Sequence, residues 1–320
     1  MHSLRRARQR TVEAGGGVLD ALESVPNAND ADLNRELASI LRSDLTMVCS
    51  ETELDLLKKQ YRILDDKLVL APFFCDPPNE VAEQNPWEDR AGFVTVGSFR
   101  HPPNVDSVKW VADSVWPLIR KRLPDVSMDV FGSYPTSHVE QLHNPNAGFN
   151  IRGFSKDLSA FNSARVLLCP LRFGAGIKGK IVDAWNFGLP VVTTPIGAEG
   201  TVPGTMRFLS PSGNVVDQTE NWGGRWDCID AAQIAEAAVK LHQDKTKWQA
   251  AQSSGISLVN SLFSKDANTS TVMRAVERVI SNLSCIREKD YAGSILWHHT
   301  SRSTLYFSKW IELKETGKNS

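Results

Sequence analysis

The chain has 320 residues, 41% of them hydrophobic and 23% charged, with a formal net charge of −1. That suits one large or two ordinary soluble domains and supplies no global field that would gather nucleic acid or acidic membrane surfaces. No run approaches ~20 apolar residues and no apolar segment follows the basic start, so neither a membrane-spanning helix nor a secretory signal is expected, and five widely spaced cysteines without metal-ligand spacing point to reduced thiols in a cytoplasmic setting.

In chain order, residues 1–30 are basic, then glycine-rich, then polar, and are expected to be mobile. Ala31 to Leu41 carries Leu33, Leu37, Ile40 and Leu41 on one helical face. Leu45 to Cys49 reads as a buried strand. Ser50 with Glu53 three residues on forms a capping box for the next helix. Val69 to Phe74 is another apolar run, closed by Asp76, Pro77 and Pro78, and Asn79 to Asp89 reads as a polar linker.

A more regular region begins at Gly92. Phe93–Val96 is a strand ending at Gly97. Val105, Val108, Ala112, Val115 and Ile119 recur at helical steps. Strands follow at Met128–Gly132, Phe149–Gly153, Val166–Cys169 and Pro190–Thr193, with helices from about Lys156 to Ser163 and from Ile177 to Phe187 between them. Weaker strands are expected at Met206–Leu209 and Asn214–Val216. Strands alternating with helices predict a doubly wound parallel sheet, whose ligands sit beyond the carboxyl ends of the strands. Gly97, Gly132, Gly153 and Pro170 all fall at such ends. The last third is helical, over Ala231–His242, Lys245–Leu262 and Ser270–Leu283. Glu288 to Ser320 is too aromatic to be disordered throughout, and its Trp and Phe side chains are expected to pack against the domain.

The densest signal is the loop carrying Gly174, Gly176 and Gly179 with Arg172, Lys178 and Lys180. A strand that feeds a glycine loop opening a helix holds anions through bare N–H groups and the helix dipole. Three readings compete. Gly174 to Gly179 is literally G-x-G-x-x-G, yet four residues separate it from the strand and no acid ends the next one. Gly174 to Lys180 nearly matches a P-loop, but Ile181 stands where Ser or Thr must hold magnesium. The third is a nucleotide-sugar site, with Arg172 and Lys178 neutralising a diphosphate and Asp183 within reach of a ribose.

This stretch resembles the donor-binding half of GT-B glycosyltransferases of the family 4, or "group 1", type. The resemblance rests on Val96-Gly97-Ser98-Phe99 with His101-Pro102-Pro103-Asn104, on Ile151-Arg152-Gly153-Phe154, on Pro170 through Lys180, on Gly188-Leu189-Pro190-Val191-Val192-Thr193-Thr194, and on Ile196-Gly197-Ala198-Glu199-Gly200. Glu36–Glu53 and Leu70–Asp76 resemble the end of a first GT-B domain and the interdomain crossing, so the match covers roughly residues 33–280.

The resemblance implies an α/β protein: a Rossmann-like donor domain, an incomplete N-terminal α/β portion and a helical C-terminal tail. The expected divisions are 1–78 for the acceptor-domain remnant, 79–91 for a linker, 92–265 for the donor domain and 266–320 for the C-terminal helices. It also implies that the chain starts late within the first domain. Carried over by residue, Arg172 and Lys178 are the catalytic cations. Gly97 and Ser98 approach the phosphates, Gly153 and Phe154 edge the base, Gly174 and Gly176 shape the loop, and Asp183 binds ribose. Glu199 either caps the helix after Gly197 or touches the sugar. The family's pair of glutamates eight residues apart is replaced by Ala175 and Asp183, and its arginine after the first strand glycine by Ser98.

The implied activity is sugar transfer, with retention, from a nucleoside-diphosphate sugar to an unidentified acceptor. No cofactor, metal or nucleic acid is expected. The alternative is an inactive nucleotide-sugar-binding remnant or regulatory module. Lys180 is expected to be a solvated neighbour of the loop and His101 to shape the turn. The pair His298-His299 is expected to be structural, because adjacent helix residues do not share a face.

Overall fold

The computed structural model describes residues 1–76, 85–201 and 222–316. The expected strands at 206–209 and 214–216, and residues 79–84 of the linker, lie outside the described residues. The chain begins with helices α1 (His2–Glu13), α2 (Val18–Glu23) and α3 (Ala31–Arg42). Residues 1–30 are therefore ordered helices rather than a mobile arm. Leu4, Ala7, Arg8 and Val12 recur at helical spacing and are buried, and Val12 packs with Val18, Ala21, Leu171, Phe173 and Ile196. The arginines between these positions hide the stripe from a reading of composition.

Strands β1 (Thr46–Val48) and β2 (Leu68–Leu70) pair in parallel around helix α4 (Glu51–Lys59). Ser50 caps α4 by accepting from the Glu53 N–H at 3.4 Å. The Glu53 carboxylate meets the Met1 amine instead of completing the capping box.

Among the described residues the second unit is a six-stranded parallel sheet: β3 (Ala91–Val96), β4 (Met128–Phe131), β5 (Phe149–Gly153), β6 (Ala164–Leu168), β7 (Val191–Val192) and β8 (Gly224–Arg225), in the order β5-β4-β3-β6-β7-β8. Its central strands are continuous apolar runs because helices cover both faces. One face packs Phe93, Met128 and Val130 against Val108, Val115, Trp116, Ile119 and Val239. The other packs Val94, Leu167 and Val191 against Ile181, Val182, Trp185 and Val259.

The single helix expected from Val105 to Ile119 is α5 (Pro102–Trp110), one π turn over Val111–Val115, and α6 (Trp116–Arg122). Pro117 cannot donate into the regular ladder, which accounts for the wide turn before it. Short helices α7 (Ser137–Glu140) and α8 (Ala160–Ser163) join the next strands. Helices α9 (Gly179–Asn186) and α10 (Pro195–Ala198) follow β6 and β7, and α11 (Ala231–Gln243) and α12 (Lys245–Leu262) close the unit.

The chain crosses between the units twice, side by side. The Cys75 N–H donates to Phe263 O at 2.7 Å and the Lys265 N–H to Cys75 O at 3.0 Å. Helices α13 (Lys265–Ser281), α14 (Leu283–Lys289) and α15 (Tyr291–Thr316) then return to the first unit. Lys67 joins them, donating to Asp290 Oδ2 at 2.6 Å and to the carbonyls of Leu41 and Ser43. Trp297 donates to Arg42 O at 2.9 Å. Beyond that point Tyr306, Phe307 and Trp310 are exposed rather than packed on the domain. The reason is length: α15 has 26 residues and outruns the 12 of α3 on which it lies. Among the described residues no helix is long and apolar enough to cross a membrane.

Candidate functional site

The strand order creates one switch point. From β3 the chain runs outward to β4 and β5, then crosses back to β6 and runs outward the other way. The loops leaving β3 and β6 diverge there and open a crevice at the carboxyl edge of the sheet. The first loop carries Gly97, Ser98 and His101 into α5. The second carries Arg172, Gly174, Gly176 and Lys178 into α9.

Two side-chain ties span the loops. Lys180 donates to Asn104 Oδ1 at 2.8 Å, and Asn104 Nδ2 donates to Ser98 O at 2.9 Å. Arg172 forks onto Asp106, with Nε donating to Oδ2 at 3.0 Å and Nη2 to Oδ1. The loops are close at Gly97: a Cβ there would lie 2.7 Å from Asn104 Nδ2 and 3.0 Å from Lys180 Nζ, so both side chains would have to shift. Lys180 is thus not a solvated neighbour of the loop. It is bonded into the crevice, and burial lowers its pKa.

Lys178 is the N-cap residue of α9, and its side chain is 8% exposed. Its Nζ donates to Gly176 O at 2.7 Å and stands 3.8 Å from Glu199 Oε2. Burial brings its ammonium down to about 8; Glu199 opposes that shift and Arg8 adds to it. Glu199 follows α10 and is 0% exposed. It stands at the C-terminal end of that helix; the side-chain cap is Thr194 at the other end, accepting from the Gly197 N–H at 3.1 Å.

Instead Glu199 takes both ends of the Arg8 guanidinium, at 2.7 and 2.8 Å. Arg8 Nη1 also donates to Gly174 O at 2.9 Å. Burial alone would raise the Glu199 carboxyl, but the Arg8 charge and hydrogen bonds, with Lys178, hold it below its usual range. Sequence reasoning missed Arg8. Its signal was an arginine midway along the buried stripe Leu4-Ala7-Val12, where an unpaired charge is not tolerated. The first unit also reaches the loop from the other side: a Cβ on Gly176, whose φ is +68°, would lie 3.5 Å from Cys49 Sγ and from Glu53 Oε2.

The remaining expected residues spread along the carboxyl edge. Gly153, with φ +73°, accepts from the Gly132 N–H at 2.8 Å, and the Gly97 N–H donates to Phe131 O at 3.0 Å, so these strand ends form one row. Phe154 projects, 72% exposed. Asp183, on α9, is half-buried, and burial raises its carboxyl pKa. His298 and His299 lie on α15, away from the crevice, with ring centroids 5.9 Å apart.

The charge balance decides what the crevice accepts. Arg8 is matched by Glu199 and Arg172 by Asp106. Lys178 has only a distant share of Glu199, and the partner of Lys180 is the neutral Asn104. Two desolvated cations beside a helix N-terminus suit a ligand with two negative charges.

Residues 90–244 match the family model described as glycosyl transferases group 1. Over this segment the chain is similar to that family. A protein of Klebsiella pneumoniae, described as an uncharacterized 44.6 kDa protein in the cps region, is 31% identical over 114 residues, covering 33% of this chain and 29% of that protein. TarM of S. aureus, in a mutant structure with fondaparinux, alpha-GlcNAc-glycerol and UDP, superposes with a TM-score of 0.59 at 11% identity, over 78% of this chain and 48% of its own. The pneumococcal O-GlcNAc transferase GtfA, in complex with UDP and GlcNAc, gives 0.57 at 16% identity, over 79% and 48%. The chain thus spans about half the length of these solved structures and less than a third of the curated relative. At such identities the likeness establishes the fold, which is that of the GT-B glycosyltransferases. The segment that matches the group 1 model is the doubly wound sheet, and the crevice described above lies within it.

Proposed function

We propose that the chain acts in sugar transfer from a nucleoside-diphosphate sugar to an acceptor, with retention at the anomeric carbon. The observation that carries this reading is the pair of desolvated lysines, Lys178 and Lys180, at the switch point beside the N-terminus of α9. Breaking the bond between sugar and diphosphate builds negative charge on the leaving phosphate. Fixed cations and N–H groups already aimed there stabilise it without reorganisation, each worth on the order of 3 kcal/mol of barrier. Lys178 and Lys180 hold the diphosphate. Gly97 and Ser98 line the phosphates from the β3 loop, and Gly174 and Gly176 let the β6 loop approach. Gly153 and Phe154 edge the base and Asp183 meets the ribose. Arg172 shares its charge with Asp106 and serves the diphosphate less directly than Lys178. Glu199 acts through Lys178 rather than on the sugar. The acceptor enters from the side of the first unit, where Cys49 and Glu53 face the loop.

UDP is the nucleotide to test first, because related structures hold it. Calorimetric titration with UDP and UDP-sugars should show binding that Lys178→Met and Lys180→Met each weaken at least about tenfold, the usual scale for a bond to a charged group. Unchanged affinity in both variants would sink the assignment. The second reading, a binding module without turnover, is favoured by Ala175 and Asp183, which replace two glutamates. Sugar release or product formation with a supplied acceptor separates the two.

A further inference from the structure

Arg8 comes from the first unit, yet the residue is 2% exposed and its guanidinium lies against the loop of the second. It makes three bonds there: two to the oxygens of Glu199 and one to the carbonyl of Gly174. Lys178, one turn of loop away, reaches only to 3.8 Å from the same carboxylate and spends a hydrogen bond on Gly176 O instead. A buried carboxylate beside a buried ammonium closes to direct contact unless a stronger partner already occupies it, and a planar guanidinium fork is that partner.

We propose that Arg8 is a positioning residue for the β6 loop: by holding both oxygens of Glu199 and the Gly174 carbonyl, it keeps the Lys178 ammonium 3.8 Å from that carboxylate, short of a hydrogen-bonded ion pair and available to an incoming phosphate. This rests on the donor-site reading given above and adds a residue that neither the glycine motif nor the family match contains, since the match begins at residue 90. In this arrangement the first unit, through α1, sets the charge that the loop of the second unit offers. Without Arg8, Glu199 and Lys178 neutralise each other and the crevice loses one of its two free cations. Without both Arg8 and Glu199, Lys178 is free again.

Among the described residues, the charged and titratable groups facing Lys178 are Arg8 on α1, the Met1 amine, Cys49 after β1, Cys169 after β6 and Glu199 after α10. Among them Arg8 and Glu199 act in opposite directions on the ammonium, Arg8 lowering its pKa and Glu199 raising it.

The test is a double-mutant cycle on the full chain, read by titration with UDP and with inorganic pyrophosphate. Arg8→Gln should weaken both probes by about tenfold or more. Arg8→Gln with Glu199→Gln should return affinity to within about twofold of the parent, which is far from additive. An unchanged affinity in Arg8→Gln, or a double variant no better than the single, overturns the proposal.

A second readout needs no ligand. The pH dependence of Lys178 acylation, followed by mass spectrometry, should have its midpoint near 8 in the parent, higher in Arg8→Gln and lower in Glu199→Gln. Simple loosening of the loop would hydrate Lys178 and raise both, and that result contradicts the proposal. If the parent binds neither probe, the donor reading fails, and the acylation profiles still decide the role of Arg8.

Discussion

Replacing Lys178 by methionine should raise stability while removing binding. The ammonium sits at about 8 in the folded chain against 10.5 for the ordinary side chain, with burial as the main cause. That difference corresponds to about 3 kcal/mol by which folding disfavours the charged form. Below pH 8 both folded and unfolded chains hold the proton, and the whole burden is present. Between 8 and 10.5 the unfolded chain keeps a proton that the folded chain has released, so stability from this group rises with pH; above 10.5 it is constant. Methionine keeps the length and apolar stem, and Glu199 remains paired with Arg8. The loss is the bond from the charged ammonium to Gly176 O, worth about 2 kcal/mol. The net expectation is a gain of about 1 kcal/mol at pH 7, shrinking to roughly zero by pH 10, with UDP affinity down at least about tenfold. Urea denaturation at pH 7 and pH 10, together with a UDP titration, measures all three. A Lys178→Met chain that is less stable at pH 7 and binds UDP like the parent would refute the reasoning.

Other outcomes follow from the same structure. Arg90 is fully buried and donates to the carbonyls of Asn85, Phe161 and Phe187 at 2.8, 2.9 and 2.8 Å. Three charge-assisted bonds outweigh the relief of unburying its charge, so Arg90→Met should lower unfolding free energy by about 2 kcal/mol, the opposite sign to Lys178→Met. A side chain at Gly132 would overlap the Gly97 carbonyl oxygen and the Phe99 ring. Gly132→Ala should therefore cost about 2 kcal/mol in denaturation and weaken UDP binding by displacing the β3 loop. His242 stacks on Phe93 at 5.1 Å and accepts from the Gly92 N–H at 3.3 Å, and burial, helped by Arg165, pushes its pKa down to about 4. Its contribution is complete above pH 6.5 and is lost as pH falls toward 4, by about 3 kcal/mol. His242→Gln should flatten that part of the stability profile, and an unchanged slope in urea denaturation counts against it.

The sheet was legible because its strands are buried on both faces and punctuated by glycine or proline at their carboxyl ends. Phe93–Val96 needed only an apolar run and a stop, and Met128–Phe131 and Phe149–Gly153 only apolar residues at every second position and a glycine stop. The glycine loop was legible because cations and glycines coincide at a strand–helix boundary. What stayed hidden was long-range. Arg8 lies 191 positions from Glu199, and Asp106 lies 66 from Arg172; only the strand order brings each pair together. The same distance explains why Lys180 read as solvated, since its partner Asn104 sits on the helix after a different strand. The tail misled in the other direction: its aromatic content promised packing, but aromatic residues bury only where a surface extends beneath them, and α3 stops short of Tyr306 and Trp310.

A structure of the chain with UDP bound tests the central claim most directly. The account predicts the diphosphate between the loops leaving β3 and β6, within hydrogen-bond distance of Lys178 Nζ and beside Lys180. A UDP molecule lodged elsewhere would contradict it, for instance in the groove of about 740 Å³ lined by Arg6, Arg10, Ser24 and Asp30, as would an empty crevice at saturating nucleotide.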